Sequence, residues 1–166
     1  YIVLNDSILP TKGFTVSTTA SFFANTDQRE FFQKYFGRVQ WYLPLGTRLS
    51  IAIRAGGSTT RCKPGTLNSA EYYEHATIGG PETLRGFRLD RFWGQSAFYN
   101  NNELRFITNV STHLLNAKIG CLAFFDDGRV WMPGESSNTL HTGYGAGIIF
   151  VPFYKMAATL TYGISA

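Results

Sequence analysis

Hydrophobic and polar positions alternate along most of this chain with a period of two, the pattern of strands whose two faces meet different surroundings. From Phe14 to Ala24 the even positions read Phe14, Val16, Thr18, Ala20, Phe22 and Ala24, against Thr15, Ser17, Thr19 and Ser21. Tyr35, Gly37, Val39, Trp41 and Leu43 alternate with a face holding Lys34, Arg38 and Gln40. Leu49, Ile51, Ile53 and Ala55 stand against Arg48, Ser50, Ala52 and Arg54. Near the end, Met156, Ala158, Leu160, Tyr162 and Ile164 alternate with Lys155, Ala157, Thr159, Thr161 and Gly163. The pattern predicts strands near 2–9, 13–25, 32–44, 46–57, 96–108, 116–128, 142–152 and 154–165. Most of these spans exceed the ~5–6 residues of strands in soluble sheets and suit the ~9–11 of tilted membrane strands.

Turn chemistry sorts the connections into two kinds. Pro10 to Gly13, Pro44 to Gly46 and Val151 to Tyr154 are tight, whereas Asn25 to Phe31, Gly57 to Gly94 and Trp131 to His141 are long. Short turns alternating with long loops are the layout of an outer-membrane barrel. In the four strands just quoted, one face carries Phe, Val, Ile, Leu, Trp and Tyr without a formal charge; the other carries Arg38, Arg48, Arg54 and Lys155 among Ser, Thr and Gly. A Lys or Arg facing lipid at mid-depth costs ~2–4 kcal/mol, so the charged face lines the interior. A soluble β-sandwich also alternates, but it hides its apolar face inside and has no need of strands this long.

Composition narrows the class further. Of 166 residues only 16% are charged and another 16% are aromatic, which excludes disorder. No apolar run reaches the ~18 residues of a membrane helix; the longest stretch, Gly143 to Tyr154, is short and Gly-rich. The net charge of +4 is scattered, with no long basic run, so nucleic acid is not an expected partner. No signal-peptide pattern opens the chain, which starts mid-pattern at Tyr1, as a mature or partial sequence would. Cys62 and Cys121 make no disulfide scaffold, and a bond between a loop and a lipid-facing position is not expected. His75, His113 and His141 lack metal-ligand spacing, and no hydrolase, zinc or phosphate-loop motif occurs. Asp126 and Asp127 are adjacent on a strand and point to opposite faces, so they cannot share a substrate atom. The chain reads as a non-enzyme without catalytic residues, metal or cofactor.

The long loop carries the most specific signal. Its far half contains Leu84, Arg85, Gly86 and Phe87; the next strand contains Glu103, and the one after contains Phe124, Asp126 and Gly128. In this order the three elements resemble the loop motif, the Glu-bearing strand and the F-x-D-x-G strand of the BamA/TamA-like outer-membrane barrels, the bacterial surface antigen superfamily. The turn from Pro10 to Gly13 is similar to that family's P-T-x-G turn, and the resemblance covers essentially the whole chain.

That resemblance implies a loop folded into the lumen, with Arg85 pairing with acids on the inner wall. Alternation puts Glu103 on the face of Tyr99, Asn101 and Arg105, and Asp126 on the face of Phe124, opposite Cys121, Ala123 and Phe125. A guanidinium suits the task because its planar fork can bridge two carboxylates. Gly86 would let the loop backbone pass close to the wall, and Phe87 would wedge it. The bland alternative is a solvent-exposed Arg making surface pairs worth ~0–1 kcal/mol.

The resemblance also implies a barrel of about sixteen strands. An eight-stranded barrel is filled by its own side chains and has no room for such a loop. Residues 1–166 are therefore expected to be the C-terminal part of a larger transmembrane antiparallel barrel, all-β, with one inward loop over about 57–94 and the last strand missing. The expected function is insertion or translocation of outer-membrane proteins in the bacterial outer membrane, by templating client strands on an unpaired edge. Outer-membrane lipids, client β-proteins and periplasmic accessory domains are the implied partners. The alternative is a passive anchor or pore for a fused periplasmic or enzymatic domain, with a soluble ligand-binding barrel further behind.

Overall fold

The structure is a computed structural model that describes residues 1–25, 30–62, 75–112, 116–135 and 139–166. Eight strands form one antiparallel sheet: β1 (Ile2–Leu4), β2 (Gly13–Asn25), β3 (Glu30–Pro44), β4 (Leu49–Cys62), β7 (Ser96–Ser111), β8 (Asn116–Trp131), β9 (His141–Pro152) and β10 (Ala158–Ser165). Each pairs with its sequence neighbour, in the order β1-β2-β3-β4-β7-β8-β9-β10. Two short strands, β5 (Ala76–Ile78) and β6 (Phe92–Gly94), pair only with each other inside the long connection between β4 and β7. No helix occurs among the described residues.

The long strands follow the alternation and overrun it. β4 continues past Gly57 to Cys62, and β7 and β8 run to Ser111 and Trp131. These extensions pair across β4, β7 and β8, Thr59 with Ser96 and Ser96 with Trp131, so ladder hydrogen bonding carries the strands beyond the apolar belt. The last strand starts at Ala158 rather than 154, because Phe153 and Tyr154 adopt left-handed φ values of 51° and 56° in the turn.

The first strand departs most. Expected over 2–9, it ends at Leu4, and residues 5–12 form a strap that turns across the inner face. Local polar groups end the ladder: the Asn5 side-chain oxygen accepts the N–H groups of Thr11 and Lys12 at 3.1 and 2.9 Å. The Asp6 carboxylate accepts the N–H of Ile8 at 2.9 Å. Asn and Asp offer the backbone such local partners in competition with a sheet. Leu9 is then buried with Ile107, Leu122, Phe124, Ile149 and Val151. A second cluster, Ala76, Ile78, Leu84, Ala97 and Tyr99, lies under the long loop.

Both cores thus lie between the sheet's polar-lined inner face and chain segments folded against it. The outer face is left bare, with Trp41 at 53%, Ile148 at 60% and Leu160 at 70% exposure. A soluble sandwich would bury that face; an apolar surface this continuous belongs against lipid. The sheet curls around its contents, since the cluster under the loop packs Phe36 of β3 while Gly86 of the loop lies against Ile164 of β10.

Candidate functional site

Backbone geometry delivers the loop motif to the wall. Gly79 and Gly80 take φ values of 128° and 88°, a left-handed route open to glycine. The turn is stapled by Thr83, whose Oγ1 accepts the Gly79 N–H at 2.9 Å and donates to the Gly79 carbonyl at 3.0 Å. The Leu84 N–H donates to the Gly80 carbonyl at 3.1 Å. This turn sinks Leu84 completely into the loop's core and places Arg85 beside β7 and β8. Gly86, with φ of 93°, passes so close to β10 that a Cβ there would stand 2.8 Å from the carbonyl carbon of Ile164.

Arg85 is buried against three wall groups. Its backbone N–H and its Nε both donate to Asp126 Oδ2, at 3.0 and 2.7 Å, and Nη2 donates to Oδ1 at 2.7 Å. Nη1 donates to Glu103 Oε1 in a short ion pair. The guanidinium lies 3.9 Å over the ring of Phe124. On its other side Glu103 accepts Nε of Arg105 at 2.6 Å. Arg105, Glu103, Arg85 and Asp126 therefore form a chain of alternating charge that sums to zero. Desolvation works against the charge on Arg85, but the hydrogen bonds and charges of Asp126 and Glu103 outweigh it and raise its pKa above the ordinary value.

The remaining motif residues take distinct places. Phe87 is half-buried, its ring 5.1 Å from that of Phe92, which in turn stacks on His141 at 3.6 Å. Gly128 lies on the inner wall, where a Cβ would stand 2.9 Å from the Cδ1 of Ile78. Asp127 points outward and accepts Nδ2 of Asn100 at 3.0 Å, apart from Asp126.

Several contacts escape sequence reasoning. Arg54 donates to the Glu82 carbonyl at 3.0 Å, and Asn101 Nδ2 to that of Thr83 at 2.9 Å, so the inner wall holds the loop backbone at two further points. A glycine seat receives it: a Cβ on Gly143 would stand 2.0 Å from the Arg85 carbonyl oxygen, and one on Gly163 would stand 3.0 Å from the Gly86 nitrogen. Gly143, Gly145 and Gly147 recur with strand periodicity, a signal visible in the sequence that composition alone passes over. At the opposite end Lys118 pairs with Asp6 of the strap at 2.7 Å.

The arrangement is suited to holding a loop rather than to covalent chemistry: both carboxylates are occupied by guanidinium groups. No group of three His, Cys, Asp or Glu side chains among the described residues is placed to hold a metal. His113, the Cys62 side chain and parts of the connections at 26–29, 63–74 and 136–138 lie outside the described residues, whereas Cys121 is free and exposed. The family model described as the Omp85 superfamily domain matches residues 1–161. No curated protein and no solved structure matches the chain.

Proposed function

The chain belongs to the Omp85 superfamily, and from that premise we propose that it forms the membrane barrel of a machine that inserts or translocates outer-membrane β-proteins in a bacterial outer membrane. Its partners are then the lipids around the bare apolar face, client β-strands, and periplasmic domains that deliver them. The chemistry is non-covalent, and no enzyme activity or cofactor is involved. An unpaired strand edge of the complete barrel templates a client strand through main-chain hydrogen bonds.

The observation that carries this reading is the four-group charge chain holding the loop inside the lumen. A plug needed only for stability gains as much from apolar packing, because desolvating ion pairs offsets most of their attraction. What a bidentate charged clasp adds is one position for the loop, as a moving client path requires.

The test is depletion of the full-length protein, followed by the folded fraction of other outer-membrane β-proteins on unheated gels. A fall in that fraction, restored by the wild-type gene and not by Arg85→Ala, is the expected result. Unchanged assembly of all other outer-membrane proteins would sink the machine and leave an anchor or pore.

A further inference from the structure

The loop motif and the strap lean mainly on one half of the sheet, the loop reaching the other half through Arg54 of β4 and Phe36 of β3. Arg85 and Gly86 dock on β7 to β10, and Leu9 of the strap packs on β7, β8 and β9. The inner face of β2, β3 and β4 remains more open, with Ser17 and Thr19 exposed. Between this wall and the loop runs a cleft of about 370 Å³ lined by Ser21, Lys34, Ser58, Thr77, Thr83 and Tyr99 among others.

Among the described side chains of β2, β3 and β4, the inward charges are all positive. Inward positions of β3 and β4 carry Lys34, Arg38 and Arg54, and Arg48 stands just before β4. Among the described residues, Arg54 alone of these has a carboxylate partner, Glu82, at 3.5 Å, and that side chain is largely exposed. Arg38 instead donates a hydrogen bond to the Tyr99 hydroxyl and lies 5.9 Å from the ring of Phe36, both neutral partners. Register places Ser17 opposite Arg38 and Ser21 opposite Lys34, while Arg54 lies between the amides of Gln40 and Asn101, so each cation has an uncharged polar neighbour on the wall. The acids of the inner wall, Glu103 and Asp126, are consumed by the clasp on the other side.

We propose that this hydroxyl-lined basic wall is a path for small hydrated inorganic anions through the lumen. Low-dielectric walls bearing one sign of charge focus the potential in the space between them. Rings or ladders of Lys and Arg select anions in pores for that reason. Hydroxyl groups donate hydrogen bonds to an anion while its water shell is partly retained. The proposal stands on the wall's own residues and is independent of the insertion reading.

The full-length protein in a planar bilayer, under a potassium chloride gradient, tests it through the zero-current potential. The expected wild-type result is a chloride-over-potassium permeability ratio above one. Lys34→Glu combined with Arg38→Glu should bring the ratio below one. Arg88→Glu, the same charge change on an exposed loop residue, should leave it in place. Heat-modifiability of each variant on gels shows that the barrel is folded before it is measured. Absence of ion conductance, a cation preference in the wild type, or a chloride preference untouched by the double substitution would each overturn the proposal.

Discussion

Asp126 and Gly143 are cross-strand partners on β8 and β9, and together they grip both ends of one residue of the loop. The Asp126 carboxylate takes the N–H and guanidinium of Arg85, while bare space at Gly143 admits the Arg85 carbonyl. A side chain on one partner and the lack of one on the other serve the same purpose, bringing loop backbone into contact with the wall.

Gly143→Ala should therefore push the loop off its seat. The added methyl meets a backbone oxygen rather than a flexible side chain, and overpacking of this kind costs about 1–3 kcal/mol. Limited proteolysis of the folded full-length barrel should show new cleavage between 79 and 91. Gly46→Ala, where a Cβ meets nothing within 4 Å, should leave the pattern unchanged. Equal cleavage in both variants would refute the seat.

Arg85→Ala leaves Asp126, fully buried, without its cation. Removing one partner of a buried pair costs about 3–5 kcal/mol. The loop should become protease-sensitive, and the temperature at which the barrel shifts on gels should fall. Arg85→Lys should recover part of the loss, since an ammonium lacks the planar fork that meets Asp126 at two oxygens and reaches Glu103. Arg88→Ala, at an exposed position, should change stability by under about 0.5 kcal/mol. If Arg85→Ala behaves like Arg88→Ala, the clasp does not hold the loop.

Side-chain direction predicts labelling. Single cysteines at Val16, Ile51 and Leu160 should react with lipid-phase reagents, and those at Ser17, Arg54 and Thr159 with aqueous ones. The reversed pattern would mean that the apolar face is not the lipid face.

The strap should respond to acid. The hydrogen bond from Lys118 holds the Asp6 carboxyl below the usual carboxylate range, against the opposing effect of burial. A depressed value in the folded state stabilises the strap above the unfolded pKa of about 3.9, and that stability is lost as pH falls through the lowered folded value. A fluorophore at the exposed Ser7 should report strap release on acidification into that range. Asp6→Asn should remove this acid-dependent step; an identical step in that variant would assign it to another group.

Alternation by itself determined which face of each long strand is apolar, and so the placement of Arg38, Arg54, Glu103 and Asp126 on the inner side. That property is local: side chains two residues apart share a face whatever the strand pairs with. The motif residues from Leu84 to Phe87 were legible through resemblance, because their identity and order carry the signal. The strap was not legible, since Ile8 and Leu9 read equally well as the end of a strand. Asn5 and Asp6 turn the chain inward only where a pocket of Ile107, Leu122, Ile149 and Val151 exists to receive Leu9. The clasp lay between these cases. Sequence put Glu103 and Asp126 on one side, but register alone made Asn101 the partner of Asp126 and Phe124 that of Glu103, leaving the two acids diagonal neighbours within reach of one guanidinium. The seat at Gly143 and Gly163 depended on where a loop from β4 returns against β9 and β10. Contacts so distant along the chain are set by register and loop closure, which a period-two pattern does not encode.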